Sequence, residues 1–583
     1  MKEFLRTLLA CVLGTLIALL LLMVLIWAGL AGAGPAPLPD GAVLVIGPDT
    51  FVNDAGGAPV LQEAARGVAI PVPLRRLVDA LDAAAAEDRI SGILLHDGGP
   101  VCENWAQRRA LHSALLRFRT TGKKVWAYAG AWDEAGWYLA SAADQAWIAP
   151  LGTFECNGFA AQMFYFADAL AKLGVNVQTT RVGKFKSAVE PFTLSRSSPE
   201  NDAQIAALLE DLESSFLEDC AAARRLDVGE LRAFASAGGV CGGEEAVRRR
   251  FLDRVGPFDE LLAELAGAAG NDRETGAFRQ IACGDWLERA DLDRSGDVLV
   301  SVVYAVGEIV DGESGDQIGG ATLARRLREV REDPDVDAVV LRVNSPGGSA
   351  AASEVILREV ELTAARKPVV VSMGGMAASG GYWISCRATR ILAEPGTVTG
   401  SIGVLTLLPD VSPLLDKVGV GVSTVRTAPH ADALGLYRAR TPEEIAQVQA
   451  FVDEIYEGFL DRVAAGRELP RERVHEIAQG RVWSGADALE LGLVDALGSL
   501  GDAIGEAAEL AGATDGRYRV TGDERKPTPL DELVQDFLAR GPQPVTLVPE
   551  SLRRAAQDAL RLAGPLRSRP VPLARLPFTL AIR

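Results

Sequence analysis

Two loops in the second half of the chain carry the residue types that acyl chemistry needs. After an apolar run ending at Val343 comes Asn344-Ser345-Pro346-Gly347-Gly348-Ser349, and a helical pattern starts at Ala350. A helix beginning there leaves its first backbone N–H groups without intrahelical partners, so the loop suits an anion or an oxyanion. After the next apolar run comes Met373-Gly374-Gly375-Met376-Ala377-Ala378-Ser379-Gly380-Gly381-Tyr382-Trp383. A single hydroxyl among small residues at a strand-to-helix turn lets a carbonyl approach both the Ser379 Oγ and the Gly380 N–H. Tight packing of helix on strand would explain either loop alone. Two such loops one βα unit apart point to a nucleophile, Ser379, with oxyanion donors at Gly347 or Gly348 together with Gly380. Thr399-Gly400-Ser401-Ile402-Gly403 adds small polar groups, with Ser401 in a supporting role. Tyr382 and Trp383 are candidates to line a cleft or to fill the core behind it.

The elements that must position these loops follow from the apolar runs. Short β-rich runs at 42–46, 92–95, 124–128 and 178–182 alternate with amphipathic stretches at 74–87 and 105–121. Such alternation predicts an α/β fold with buried strands. The second half repeats the order with 298–303, 321–331, 338–343, 350–366, 369–372 and a later strand at 421–425. The halves can be laid on each other as sequence. Residues 90–95 fall on 336–341 at an offset of 246, and Gly136-Trp137-Tyr138 falls on Gly381-Tyr382-Trp383 at 245. Ser198-Pro199 and Thr441-Pro442 each put an N-cap hydroxyl before an N1 proline, at an offset of 243. A tandem duplication is expected, with its boundary near 287–296.

Composition narrows the function classes. The 583 residues suggest two to four domains at about 150 residues each. A net charge of −19 argues against a nucleic-acid partner, because phosphate contacts need a cationic face. Seven Cys without a CxxC pair and four His without an HExxH arrangement give no metal site, and no cofactor is expected. From Thr7 to Gly34 no residue is charged, enough apolar helix to cross about 30 Å of hydrocarbon. We read 7–31 as one transmembrane helix, longer than the apolar core of a signal peptide, although Ala31-Gly32-Ala33 keeps cleavage open. Lys2 and Arg6 mark 1–6 as a cytoplasmic tip, and the positive-inside rule puts everything after the span outside the cytoplasm. Residues 32–41 form a Pro-containing linker. Residues 516–583, with nine Pro from 527 onward and a cationic stretch at 551–562, read as a loosely packed extension.

Segments 373–383, 344–349, 399–403, 183–192 and 480–495 together resemble the signal peptide peptidase family SppA, or protease IV, in its long, duplicated, membrane-anchored bacterial form. The likeness spans about 42–513. It implies a Clp-protease/crotonase-like domain in tandem, here 42–286 and 287–515, and a bowl-shaped homotetramer. It implies a bacterial inner-membrane protein whose periplasmic part degrades released signal peptides with a Ser–Lys dyad. It further implies that Ser379 is the nucleophile and that the general base is the second Lys of Gly183-Lys184-Phe185-Lys186-Ser187, Lys186.

The duplication offers an independent check on the pair. At the 245 offset Ser379 falls on Glu134 and Lys186 on Ala431, while Gly347 and Gly348 fall on Val101 and Cys102 at 246. Each half has kept one member of the pair and lost the other, so one composite site serves both. Loop insertions leave Lys184 open by arithmetic alone; the family motif selects Lys186. A free Lys titrates near 10.4, so serving as a base near neutrality requires desolvation. His430, beside position 431, is a competing base. Two other readings stand beside the peptidase. A crotonase-like acyl-CoA enzyme would share the fold and the oxyanion loops without needing the Ser or the anchor, and a non-catalytic membrane scaffold would need no nucleophile. The expected partners are apolar peptides and the bilayer.

Overall fold

The computed structural model describes residue 14 and residues 38–56, 71–272, 275–292, 295–522 and 573–575. All of the expected membrane span but residue 14, most of the linker and the cationic stretch at 551–562 lie outside the described residues. Among the described residues no helix is long and apolar enough to cross a membrane.

The chain is α/β and built twice. In the first half the sheet runs in the order Arg254–Val255, Gln145–Ile148, Lys124–Ala129, Ile90–His96, Ala42–Ile46, Gln280–Ala282, and every pairing is parallel. Helices cover both faces, which is why its strands are almost unbroken apolar runs. Leu74–Ala86 and Trp105–Thr120 pack on one side, and Phe258–Ala269 buries Leu261 and Leu265 against Trp126 and Trp147 on the other. The second-half sheet repeats the central order, with Ala338–Ser345 between Val298–Val306 and Val369–Ala378. The 26-residue helices Pro199–Arg224 and Pro442–Arg467 start at the expected caps, Ser198 and Thr441.

Two features of the second sheet prepare a site. The pairing of Ala338–Ser345 with Val369–Ala378 shifts register between Val343 and Ser345. Val369–Ala378 also changes partner along its length, from Arg390–Ala393 to Val398–Gly400. Its last residues therefore diverge from the sheet and end in a turn at Ser379.

A third sheet joins the halves. Leu405–Asp410 of the second half pairs antiparallel with Asn176–Arg181 of the first, from Leu405 opposite Arg181 to Asp410 opposite Asn176. The repeat arithmetic predicted a matching strand at 421–425, and there the structure differs: this stretch is irregular and exposed. The reason is the missing neighbour. Asn176–Arg181 is extended because a strand from the other half lies beside it, and 421–425 has no such strand among the described residues.

Candidate active site

The cross-repeat pairing delivers a lysine. Beyond Arg181, Val182 N–H donates to Val404 O (3.0 Å) and Phe185 N–H to Gln479 O (3.0 Å), so the loop stays on the second half. Gly183 has φ +99°, and a Cβ there would lie 2.3 Å from the Gln479 backbone. Gly480 has φ +76°, and its Cβ would meet Lys186 Cβ at 2.6 Å. These two glycines let the loops touch. Gln204 braces the turn, donating to Phe185 O (3.2 Å) and Ser187 Oγ (3.0 Å) and accepting from Val482 N–H (3.2 Å). Lys186 is fully buried, whereas the Lys184 ammonium lies over the Phe185 ring at 5.0 Å.

Lys186 Nζ lies 2.7 Å from Ser379 Oγ, 2.9 Å from Ser401 O and 3.0 Å from Ser401 Oγ. The three partners are neutral oxygens. Burial without a compensating carboxylate pushes the amine's pKa well below its usual 10.5. A neutral amine has two N–H bonds and one lone pair, so donating to the Ser401 oxygens leaves the lone pair for the Ser379 O–H.

Ser379 sits at φ +57°, ψ −112°, a region that non-glycine residues rarely occupy. Its N–H donates to Gly400 O (2.8 Å), and its own C=O accepts from Trp383 N–H (2.8 Å), which pins the turn from both sides. Gly347 and Gly348 have φ of +101° and +155°, and a Cβ on Gly348 would lie 2.0 Å from Ile309 O. A Cβ on Gly380 would fall 3.1 Å from both Gly347 Cα and Gly348 N, so the three expected oxyanion glycines are mutual neighbours. Gly347 N–H is already taken by Ser345 Oγ at 3.2 Å.

The profile of peptidase family S49 matches the chain twice, over residues 117–271 and 361–514. Protease 4 of Salmonella typhi is 36% identical over 490 residues, covering 82% of this chain and 77% of that protein. This chain belongs to peptidase family S49. Protease 4 of Haemophilus influenzae is 36% identical, covering 68% of this chain and 66% of its own length. The chloroplastic serine protease SPPA of Arabidopsis thaliana is 30% identical, covering 73% and 64%. A solved ClpP1 mutant from Listeria monocytogenes covers 35% of this chain and 94% of its own at 16% identity, with a TM-score of 0.24 that carries no weight. Membership in S49 with these relatives makes the chain a serine protease of two S49 units.

Other candidates from the sequence lie elsewhere in this S49 chain. His430 Nδ1 is 3.0 Å from Glu444 Oε1 on a half-exposed ring, so its partner is a carboxylate and not Ser379. Tyr382 and Trp383 belong to the core and line no cleft. The Tyr382 hydroxyl donates to Leu493 O (2.8 Å), and Trp383 packs on Phe459 with ring centroids 4.3 Å apart. In the first half the turn equivalent to Ser379 starts its helix one residue earlier than the 245 offset predicts, placing Asp133 at the N-cap and Glu134 just inside. Glu134 Oε1 accepts from the N–H groups of Asn157 (2.6 Å) and Gly158 (3.2 Å).

Sequence reasoning missed one buried support of the Gly347-Gly348 loop. Asp54 of the first half accepts from Arg342 Nε (2.9 Å) and Nη2 (2.7 Å), from Asn344 Nδ2 (2.6 Å) and from Gln107 Nε2 (3.3 Å). Both charges are fully buried, and Arg342 lies on the strand that feeds Asn344 into the Gly347-Gly348 loop. A lone Arg inside an otherwise apolar strand was the available signal.

Proposed function

We propose that this S49 chain is a membrane-anchored serine endopeptidase whose Ser379–Lys186 dyad degrades released signal peptides and other apolar peptides. The observation that carries the proposal is the 2.7 Å approach of a buried, uncompensated amine to the hydroxyl at a strained turn. Ser379 Oγ attacks the peptide carbonyl as its proton passes to Lys186 Nζ, and the N–H groups of Gly348 and Gly380 hold the oxyanion. The Lys186 ammonium then protonates the leaving amine. Neutral again, it takes a proton from the water that hydrolyses the acyl-enzyme, returning that proton to Ser379. Ser401 orients the amine. An acyl-CoA enzyme or a scaffold gives no reason for this pair.

We further assign the Clp/crotonase-like repeats to 42–286 and 287–515, the tip to 1–6, the anchor to 7–31, the linker to 32–41 and the extension to 516–583, in a bacterial inner membrane with the peptidase on the periplasmic side. The two S49 matches support the repeats, and the uncharged apolar stretch after Lys2 and Arg6 supports the anchor and its orientation. The homotetramer we propose rests on the resemblance for its copy number, and the repeat mismatch supports association between copies. Residues 421–426 expose Val422 and Val425, and 160–165, counterpart of Leu405–Asp410, exposes Phe164. Pairing the two between copies would repeat the intrachain contact around a closed ring, whose copy number light scattering reads.

The dyad is tested by labelling with a fluorophosphonate probe across pH. Label is expected on Ser379, at a rate that rises with pH through the depressed Lys186 pKa and then levels, and that is lost in Lys186→Ala. Equal labelling of Lys186→Ala would sink the dyad.

A further inference from the structure

The first repeat keeps a small parallel sheet where the second keeps its glycine loop. Val72–Pro73, Phe51–Asn53 and Val101–Cys102 pair in that order, with Phe51 opposite Val101 and Val52 opposite Cys102. Ile318–Gly319, Ile309–Val310 and Gly347–Ser349 pair in the same way, with Ile309 opposite Gly348. Cys102 therefore stands where Gly348 stands, as the 246 offset expects. The residues that leave this first-half sheet, Asp54 after Asn53 and Asn104 two beyond Cys102, run into the second half, and they meet it where its two central strands part. Val343 lies opposite Met373 and Ser345 opposite Ala377, so Asn344 alone faces Gly374, Gly375 and Met376. The Asp54 carboxylate takes Arg342 and Asn344 on one strand, and Arg342 Nη1 extends that hold to the other by donating to Ser372 Oγ (2.9 Å) and Met373 O (3.3 Å). Asn104 lies on Gly375, where a Cβ would come within 2.7 Å of its Cγ, and a Cβ on Gly374 would lie 3.2 Å from Asn344 Cβ. Gln107 ties the two wedges together, its backbone N–H donating to Asn104 Oδ1 (3.1 Å) and its Nε2 to Asp54 Oδ2 (3.3 Å).

Just past the split, one strand runs from Asn344 into Gly347 and the other from Met376 into Ser379. Whatever sets the width of the split therefore sets the glycine loop relative to the nucleophile. Asp54, Gln107 and Arg342 are all fully buried there. A buried ion pair is a poor source of stability, because apolar side chains of similar volume do as well. It does fix a geometry. Resting on the peptidase reading above, we propose that Asp54 is a positioning residue for the reaction: with Gln107 and Asn104 it holds the strand split open and so sets the Gly347-Gly348 loop against the Ser379 turn. The first repeat then serves the second twice, with a lysine from one loop and with a jig made from the remnant of its own glycine loop. Asp54 touches no substrate and moves no proton. Its effect is on distance, and a displacement of about 1 Å at the reacting atoms costs about a hundredfold in rate.

The test separates geometry from stability in the full chain. Asp54→Ala combined with Arg342→Met removes both charges, so no ion is stranded and the urea midpoint should stay near that of the parent chain. Asn344 and Gln107 have then lost their shared acceptor. For a fluorogenic apolar peptide, kcat should fall about a hundredfold with KM within about twofold. The midpoint of the pH–rate profile should not move, because Lys186 keeps its surroundings. Asn344→Ala, which leaves the Asp54–Arg342 pair intact, should lower kcat about tenfold, again with little change in KM. Amide exchange at 347–349 and 377–380 should quicken in both variants, a readout that needs no catalysis. Parent kcat in either variant overturns the proposal, as does a fall in kcat that merely tracks the loss of folded protein. A shifted pH midpoint overturns it too, since the split would then act through Lys186. If Ser379→Ala keeps the parent rate, the dyad reading fails instead, and exchange at 347–349 in the double variant still decides the positioning: parent protection there overturns it.

Discussion

The two repeats place the same turn at the end of the same central strand and use it for opposite ends. In the first half the N-cap is Asp133, at φ −103° and ψ 177°, whose side chain accepts from Gly136 N–H at 2.8 Å. In the second half the N-cap is Ser379, at positive φ with no side-chain capping bond. One turn is relaxed and capped. The other keeps its hydroxyl off the helix and turned toward a buried amine, at a cost in backbone strain of about 1–3 kcal/mol. The lysine loops differ in the same way: 183–186 is clamped between two glycine contacts and Lys186 is buried, while the counterpart around Ala431 lies exposed on the surface. Duplication let one copy of each element relax while the other stayed strained.

The largest effect that tests this contrast is on rate. Ser379→Ala or Lys186→Ala should lower kcat/KM at least about 10³-fold, whereas Glu134→Ala, at the relaxed turn, should leave it within a few-fold. A comparable loss in Glu134→Ala would show that both turns work. Lys186→Met should also raise stability at neutral pH by about 0.5–2 kcal/mol. The native state binds fewer protons than the unfolded chain between the depressed pKa and 10.5, so burial of this Lys weighs most at low pH within that window.

Next in size is the ion pair that ties the repeats beneath the Gly347-Gly348 loop. Asp54→Ala strands the Arg342 guanidinium in the core and should cost about 3–5 kcal/mol in urea unfolding. A loss below about 1 kcal/mol would mean that water reaches the pair.

The turns themselves predict changes of opposite sign. Asp133→Ala should destabilise by about 1 kcal/mol through loss of the cap, and Ser379→Gly should stabilise by a similar amount by relieving the positive φ. If both destabilise, Ser379 is not strained.

The smallest expected effect is a pH slope at the contact between halves. Burial pushes the Glu394 carboxyl from 4.5 up to about 7, against the pull of Arg109, whose guanidinium lies 3.4 Å away. The folded chain holds this proton longer than the unfolded one. Its contribution is therefore full below pH 4.5, declines as pH rises toward 7 and is gone above. Glu394→Gln should flatten the melting temperature over that interval; an unchanged slope would assign the titration elsewhere.

Much of this was legible in the residues. Apolar runs located the central strands of both halves, because strands buried on two faces must be apolar throughout. Glycine spacing located the close-packed Gly347-Gly348 loop and the Ser379 turn, because close backbone approach excludes a side chain. The strand expected at 421–425 failed for a reason no local pattern carries, since an edge becomes a strand only when a neighbour is there to pair with it. Arg342 was overlooked because its partner, Asp54, is 288 residues away.

By itself the sequence determined the duplication, the buried strands, the glycine-lined turn at Ser379 and that neither Ser379 nor Lys186 has a like residue at its counterpart in the other half. Only the tertiary structure decided that Lys186 meets Ser379 across 193 residues, that no carboxylate among the described residues stands beside it, and that a strand from the far end of the chain pairs with the glycine loop. Periodicity is written into neighbouring residues, whereas a pKa and a strand partner depend on what the completed fold excludes from water and leaves unpaired.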